Sequence, residues 1–117
     1  AAVAVAALTG GVVAVSGAVD LVTDGAATVR LAVGDPLLTA ITGAGCALGG
    51  LVAAFAAVTD PLTAAVGAST ALGAAAERAA RDAHGPASFQ VALVDELYRL
   101  TPDALGACVL DAAAVMA

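Results

Sequence analysis

The sequence predicts an α/β fold, with a mostly parallel sheet that acquires an antiparallel hairpin and is flanked by helices. Three observations predict it. Gly11–Val15 is a short β-branched run of the kind that forms a strand buried on both faces, and Asp24-Gly25 sits between two β-rich runs. The glycine-rich stretch Thr42–Gly45 opens directly into an apolar run of helical length.

Taken in order, residues 1–8 form an Ala-rich helix that Thr9-Gly10-Gly11 closes, glycine supplying the C-cap. The strand of residues 11–15 ends at Ser16-Gly17. Residues 18–23 and 27–33 are the arms of a hairpin, and Gly34-Asp35-Pro36 breaks the second arm. Residues 37–45 read as a loop. Cys46–Val58 carries no polar stripe, which predicts a helix buried on most sides.

Thr59-Asp60-Pro61 supplies an N-cap and a first-turn proline for a helix reaching about Arg81, and Gly67 and Gly73 on it predict close packing. After the break at His84-Gly85-Pro86, Phe89, Leu93, Leu97 and Leu100 recur at helical spacing, so that helix packs on one side. Thr101-Pro102-Asp103 supplies a cap for a last helix running through Met116, the alternative being that this Ala-rich tail is loose. No internal repeat is evident, and the whole reads as one partial domain over residues 1–117.

Composition narrows the function. The chain is 62% hydrophobic but only 3% aromatic, so its mean hydropathy of +1.02 reflects alanine and valine more than a membrane segment. The uncharged run 36–59 is long enough to span a bilayer, yet it is broken by Pro36 and several glycines and lacks basic or aromatic flanks. A net charge of −6 leaves no basic stripe for nucleic acid. Cys46 and Cys108 match no metal or disulfide spacing and read as buried thiols of a reduced, cytoplasmic protein without a signal peptide.

Chemistry concentrates at Thr42-Gly43-Ala44-Gly45-Cys46. Glycines let the backbone approach an anion, and the first amides of a helix lack intrahelical partners and point the positive end of its dipole at that anion. Such a turn seats a transferring phosphoryl group, and Cys46 stands where the dipole favours negative charge. The competing readings are a simple tight turn and a cysteine packed as a small hydrophobe.

Several segments together resemble the hydroxyethylthiazole kinases. Ser16–Gly25 is similar to their T-G-x-x-D-x-V/I-x-D/N-G, and Gly34-Asp35-Pro36-Leu37-Leu38 to their G-H/D/N-P-x-M/L turn. Ile41–Leu48 resembles their V/I-T-G-T-G-C-x-L/S, and an A-A-F follows at Ala53–Phe55. Gly85-Pro86-Ala87-Ser88-Phe89 is similar to their G-P-G-S-F, before a D-x-L-Y-x-L at residues 95–100. The matches cover nearly all of this chain and less than half of the family's domain. The resemblance therefore implies the C-terminal portion of a ribokinase-like three-layer fold, the N-terminal half being absent.

What the resemblance implies for function is transfer of the ATP γ-phosphoryl group to the hydroxyl of a small thiazole alcohol in the thiamine pathway. Ser16 falls where the family contacts ATP and Gly43 where it contacts the alcohol. Ala44 and Gly45 fall in the anion hole, and Cys46 on the residue that receives or orients the hydroxyl proton. The family forms trimers with sites between subunits, and its magnesium-holding acids lie in the half not represented here, so this chain alone is expected to be inactive. Asp20, Asp24 and Asp35 read as turn caps. Ala44 and Ala87 depart from the usual Thr and Gly, and residues 71–83 lack the family's A-G-E helix pattern. A non-catalytic kinase-like structural or oligomerisation module and a small helical membrane protein are the alternative readings.

Overall fold

The computed structural model describes residues 1–106 and 114–116. α1 (Ala2–Thr9) ends on Gly10, whose φ of 69° is the left-handed conformation that glycine adopts without strain, and its amide closes the helix on Ala6 O. β1 (Val13–Val15), β2 (Asp20–Thr23) and β3 (Thr28–Leu31) follow as a meander, and β4 (Ala114–Met116) adds to the far side of β3. A 3-10 turn (Pro36–Ala40) leads to α2 (Ala44–Ala56), α3 (Pro61–Ala80) and α4 (Pro86–Arg99).

The hairpin is the one that Asp24-Gly25 predicts. Thr23 pairs with Thr28 across the turn, and Asp24 Oδ1 accepts the amides of Ala26 and Ala27 at 2.9 and 2.8 Å. Those donors hold the Asp24 carboxyl below the usual carboxylate range, Ala27 contributing most and Ala26 next. The buried Thr23 hydroxyl donates to Ala27 O at 2.7 Å and accepts from the Gly25 amide and the Thr28 hydroxyl.

α3 is the spine. Asp60 caps it, its Oδ2 accepting the Thr63 amide at 3.0 Å, and Pro61 fills the first turn, as the sequence predicts. Its buried face is almost all Ala with Ser69, Thr70, Leu72 and Gly73, and small side chains let β2 and β3 approach on one side and α2 and α4 on others. The larger core side chains come from elsewhere: Phe89 and Leu93 of α4 pack with Leu72, Ala75, Ala76 and Ala79, and Leu48 and Leu51 of α2 close over them. Ser88 Oγ accepts the amides of His84 and Gly85, which fixes the start of α4 beyond Pro86.

The α/β class and flanking helices hold, but four expectations need correction. The sheet among the described residues is antiparallel at every pairing, with order β1-β2-β3-β4. For β1, β2 and β3 the reason is connection length: residues 16–19 and 24–27 link consecutive strands, whereas a parallel pair needs a crossover of about a dozen residues or more. β1 is not buried on both faces, since Ala14 and Val15 are exposed at the edge of the sheet.

α2 contains no buried residue; it lies on the outside of α3 and buries only one side of an apolar helix. The tail is not one helix to Met116. Residues 102–106 are helical, but residues 114–116 form a strand that satisfies the open edge of β3, pairing Thr28 with Met116.

No helix of the described residues is long and apolar enough to cross a membrane. The uncharged run divides into the 3-10 turn and α2, whose 13 residues reach about 20 Å against a hydrocarbon core of about 30 Å.

Candidate functional site

The start of α2 is open. Gly43 caps it with φ 92°, and the first intrahelical bond is Ala47 N–H to Gly43 O at 2.9 Å, so the amides of Ala44, Gly45 and Cys46 precede any helical partner. A Cβ added at Gly43 or Gly45 would meet nothing within 4 Å. The turn is therefore glycine-rich for backbone conformation at Gly43 and leaves the amides accessible, as an anion seat requires.

These amides border a cavity of about 570 Å³, within the range of small-molecule sites. Ser16, Gly17 and Asp20 reach it from the β1–β2 turn, Gly34 and Asp35 from the end of β3, and Ala44, Gly45 and Leu48 from α2. The wall opposite the turns is α3, through Ser69, Leu72 and Gly73. One contact holds the walls together: Glu77 Oε1 on α3 accepts the amide of Gly34, which adopts φ 128°, at 3.0 Å. The Gly17 amide donates to Asp20 Oδ1 at 3.0 Å and so folds the loop that carries Ser16.

Of the residues singled out in the sequence, Ser16, Ala44 and Gly45 meet in this cavity, whereas Gly43 and Cys46 do not line it. Cys46 is exposed on the first turn of α2, which corrects its reading as a buried thiol: α2 turns this face away from α3. Cys108 lies outside the described residues. The α2 start thus separates two environments, the cavity on one side and an accessible sulfur on the other.

The acids behave as caps. Asp20 and Asp35 border the cavity but each engages a backbone amide, Asp35 Oδ1 taking that of Leu37 at 2.9 Å, and Asp24 is committed to the hairpin turn. No three His, Cys, Asp or Glu side chains among the described residues converge as metal ligands. His84 is exposed in the turn before α4.

Sequence reasoning missed the α3 wall. Ser69, Leu72 and Gly73 sit in an Ala-rich helix that carries no motif, and only their spacing of three and four residues, which places them on one face, could have signalled a shared role.

The comparisons agree with this geometry. The model of the hydroxyethylthiazole kinase family matches residues 1–103. The chain is 55% identical over 97 residues to the hydroxyethylthiazole kinase of Bifidobacterium adolescentis, covering 83% of this chain and 33% of that protein. It is 51% identical over 96 residues to that of Cereibacter sphaeroides, covering 82% and 37%. The structure of the hydroxyethylthiazole kinase protein from Pyrococcus horikoshii OT3 superposes with a TM-score of 0.87 at 40% identity, over 98% of this chain and 44% of that one. This chain spans about a third of the length of the curated relatives it matches. By sequence and by fold, it belongs to the hydroxyethylthiazole kinase family.

Proposed function

We propose that these residues are the C-terminal part of a hydroxyethylthiazole kinase, which transfers the γ-phosphoryl group of ATP to the hydroxyl of 4-methyl-5-(2-hydroxyethyl)thiazole. The observation that carries the reading is the open start of α2 against a cavity that also receives Ser16. Ser16 contacts the ATP phosphates, and the Ala44 and Gly45 amides form the anion hole that stabilises charge on the transferring group.

Gly43 presents its backbone to the thiazole alcohol on the other side of the turn, where Cys46 is accessible. The alcohol oxygen forms its bond to the γ-phosphorus as the bond to the ADP oxygen breaks, and Cys46 receives or orients the hydroxyl proton. Positioning and charge stabilisation supply the rest.

Magnesium neutralises phosphate charge in such transfers, but the described residues do not assemble a site for it, because the acids beside the cavity are held by backbone amides. Its ligands belong to the portion of the family's domain that this chain does not cover, and the chain alone is inactive on this reading. The exposed apolar residues of α4, Val91, Val94 and Tyr98, together with the uncovered face of α2, suit packing against further copies in a homotrimer with sites between subunits. The protein works in the cytoplasm.

The test is thiazole-dependent ADP release by the complete protein that carries these residues, with the Bifidobacterium adolescentis kinase as positive control. Turnover absent here while the control is active removes the reading. Ala44, which lacks the hydroxyl of the family's usual threonine, favours a second reading as a non-catalytic kinase-like module. Calorimetry separates the two, since a purely structural module binds neither an ATP analogue nor the thiazole.

A further inference from the structure

Ser69 stands on α3 in the wall of the cavity and is 4% exposed. Its hydroxyl makes no hydrogen bond among the described residues, while that of its neighbour Thr70 donates to Val66 O at 2.7 Å. No fully buried side-chain oxygen or nitrogen among those residues lacks a partner, so the Ser69 hydroxyl keeps part of that small exposure, and Ser69 lines the cavity. A polar atom held this way is satisfied by what enters the cavity.

The surroundings define what that is. Leu38, Leu48 and Leu72 line the same cavity, and phosphate charge buried among them would go unpaired, whereas the free amides at the start of α2 suit it. A neutral ring or sugar carrying a polar atom matches a hydroxyl set in an apolar wall. Because Ser16 borders this cavity and Gly43 and Cys46 do not, the cavity is the donor side of the site and not the acceptor side.

We propose that Ser69 is a positioning residue for the nucleoside of the phosphoryl donor, its hydroxyl bonding a polar atom of base or sugar while the leucines contact the apolar faces. This rests on the kinase reading above. It assigns to α3 the task of fixing the donor so that its terminal phosphate reaches the amides of Ala44 and Gly45.

Isothermal titration of the complete protein with AMP-PNP, and separately with inorganic tripolyphosphate, tests it, magnesium being present in both. Ser69→Ala is expected to weaken AMP-PNP roughly three- to tenfold, the loss of one neutral hydrogen bond, and to leave tripolyphosphate unchanged. KM for ATP rises by the same factor, while kcat and KM for the thiazole alcohol stay put, a split that loosened packing does not produce. Unchanged AMP-PNP affinity overturns the role of Ser69 and leaves the kinase reading standing. An equal loss for tripolyphosphate assigns the hydroxyl to the phosphates and overturns it too. If the unmutated protein binds no AMP-PNP, the kinase reading falls and Ser69 falls with it.

Discussion

Gly73 of α3 lies so close to Val33 that a Cβ on it would stand 2.7 Å from Val33 Cγ1 and 3.0 Å from both the carbonyl carbon and oxygen of Val33. That approach lets α3 form a wall of the cavity directly against the end of the hairpin. Replacing glycine by alanine in a helix gains about 1 kcal/mol from propensity, but forcing a methyl against backbone costs about 1–3 kcal/mol or more. We expect Gly73→Ala to lower stability by about 1–2 kcal/mol net, read as a reduced urea midpoint.

Gly67 provides the comparison on the same helix. Its Cβ would meet the Phe55 ring of α2, 2.8 Å from Cε1 and 2.9 Å from Cδ1, and no backbone. A ring edge can turn aside where a carbonyl cannot. Gly67→Ala is therefore expected to cost less than Gly73→Ala, within about 1 kcal/mol of neutral, and Phe55→Leu in the same chain should recover what is lost. Equal urea midpoints for the two glycine variants would contradict this ranking.

Thr23 holds the hairpin with a hydroxyl that donates once and accepts twice. Thr23→Val keeps the shape and removes all of these bonds, leaving the Gly25 amide and the Thr28 hydroxyl to find water at a part-buried turn, while Ala27 O keeps only the Asp24 amide. The expected loss is about 1–3 kcal/mol, with faster amide exchange at Gly25 as the local readout. Thr23→Ser, which keeps the oxygen, should retain most of the stability.

These positions show what the sequence made legible. Local signals were reliable: Asp24-Gly25 specified the hairpin and Asp60-Pro61 the start of α3, because each acts through its immediate neighbours. The glycine turn before α2 was legible as well, but the helix begins at Ala44 with Gly43 as its cap, two residues before the Cys46 that the sequence indicated. Burial was less so. The apolar strings Val13–Val15 and Ala44–Ala56 carry no mark of which side is covered, and in the fold β1 is an edge strand and α2 an outer helix. Strand 114–116 was hidden because its partner β3 lies far away in sequence. Ser69 was hidden as well, since a serine in an alanine-rich helix gains meaning only when the elements around it close a cavity.

Two of the carboxylates that accept backbone amides, Asp24 and Asp60, make stability depend on acid. Asp24 is pulled below the usual carboxylate range by Ala27 and then Ala26, and Asp60 by the Thr63 amide and then the Thr63 hydroxyl. A carboxyl whose folded value is depressed stabilises fully above its unfolded value, and the contribution is lost as pH falls through the folded one. The melting temperature should therefore drop from about pH 5 downward, and less steeply in Asp24→Asn/Asp60→Asn, where the caps persist without titrating. Parallel curves for the two proteins would remove these caps from the acid response.

Cys46 offers the sharpest test of the proposed chemistry. Its side chain is exposed on the first turn of α2, beside the open amides yet outside the cavity, so removing it should leave donor binding intact and impair transfer alone. For the complete protein, Cys46→Ala is expected to lower kcat by roughly 10²- to 10⁴-fold with little change in AMP-PNP affinity. Cys46→Asp should keep substantial activity, because a carboxylate at the same place takes the same proton and is also favoured by the helix dipole. Cys46→Ser separates two roles, since a hydroxyl can orient the acceptor but is a poor proton acceptor. Activity in Ser close to that in Ala makes Cys46 a base, and activity close to wild type makes it an orienting group. Unchanged turnover in Cys46→Ala would take the sulfur out of the mechanism and leave the anion hole and positioning to account for catalysis.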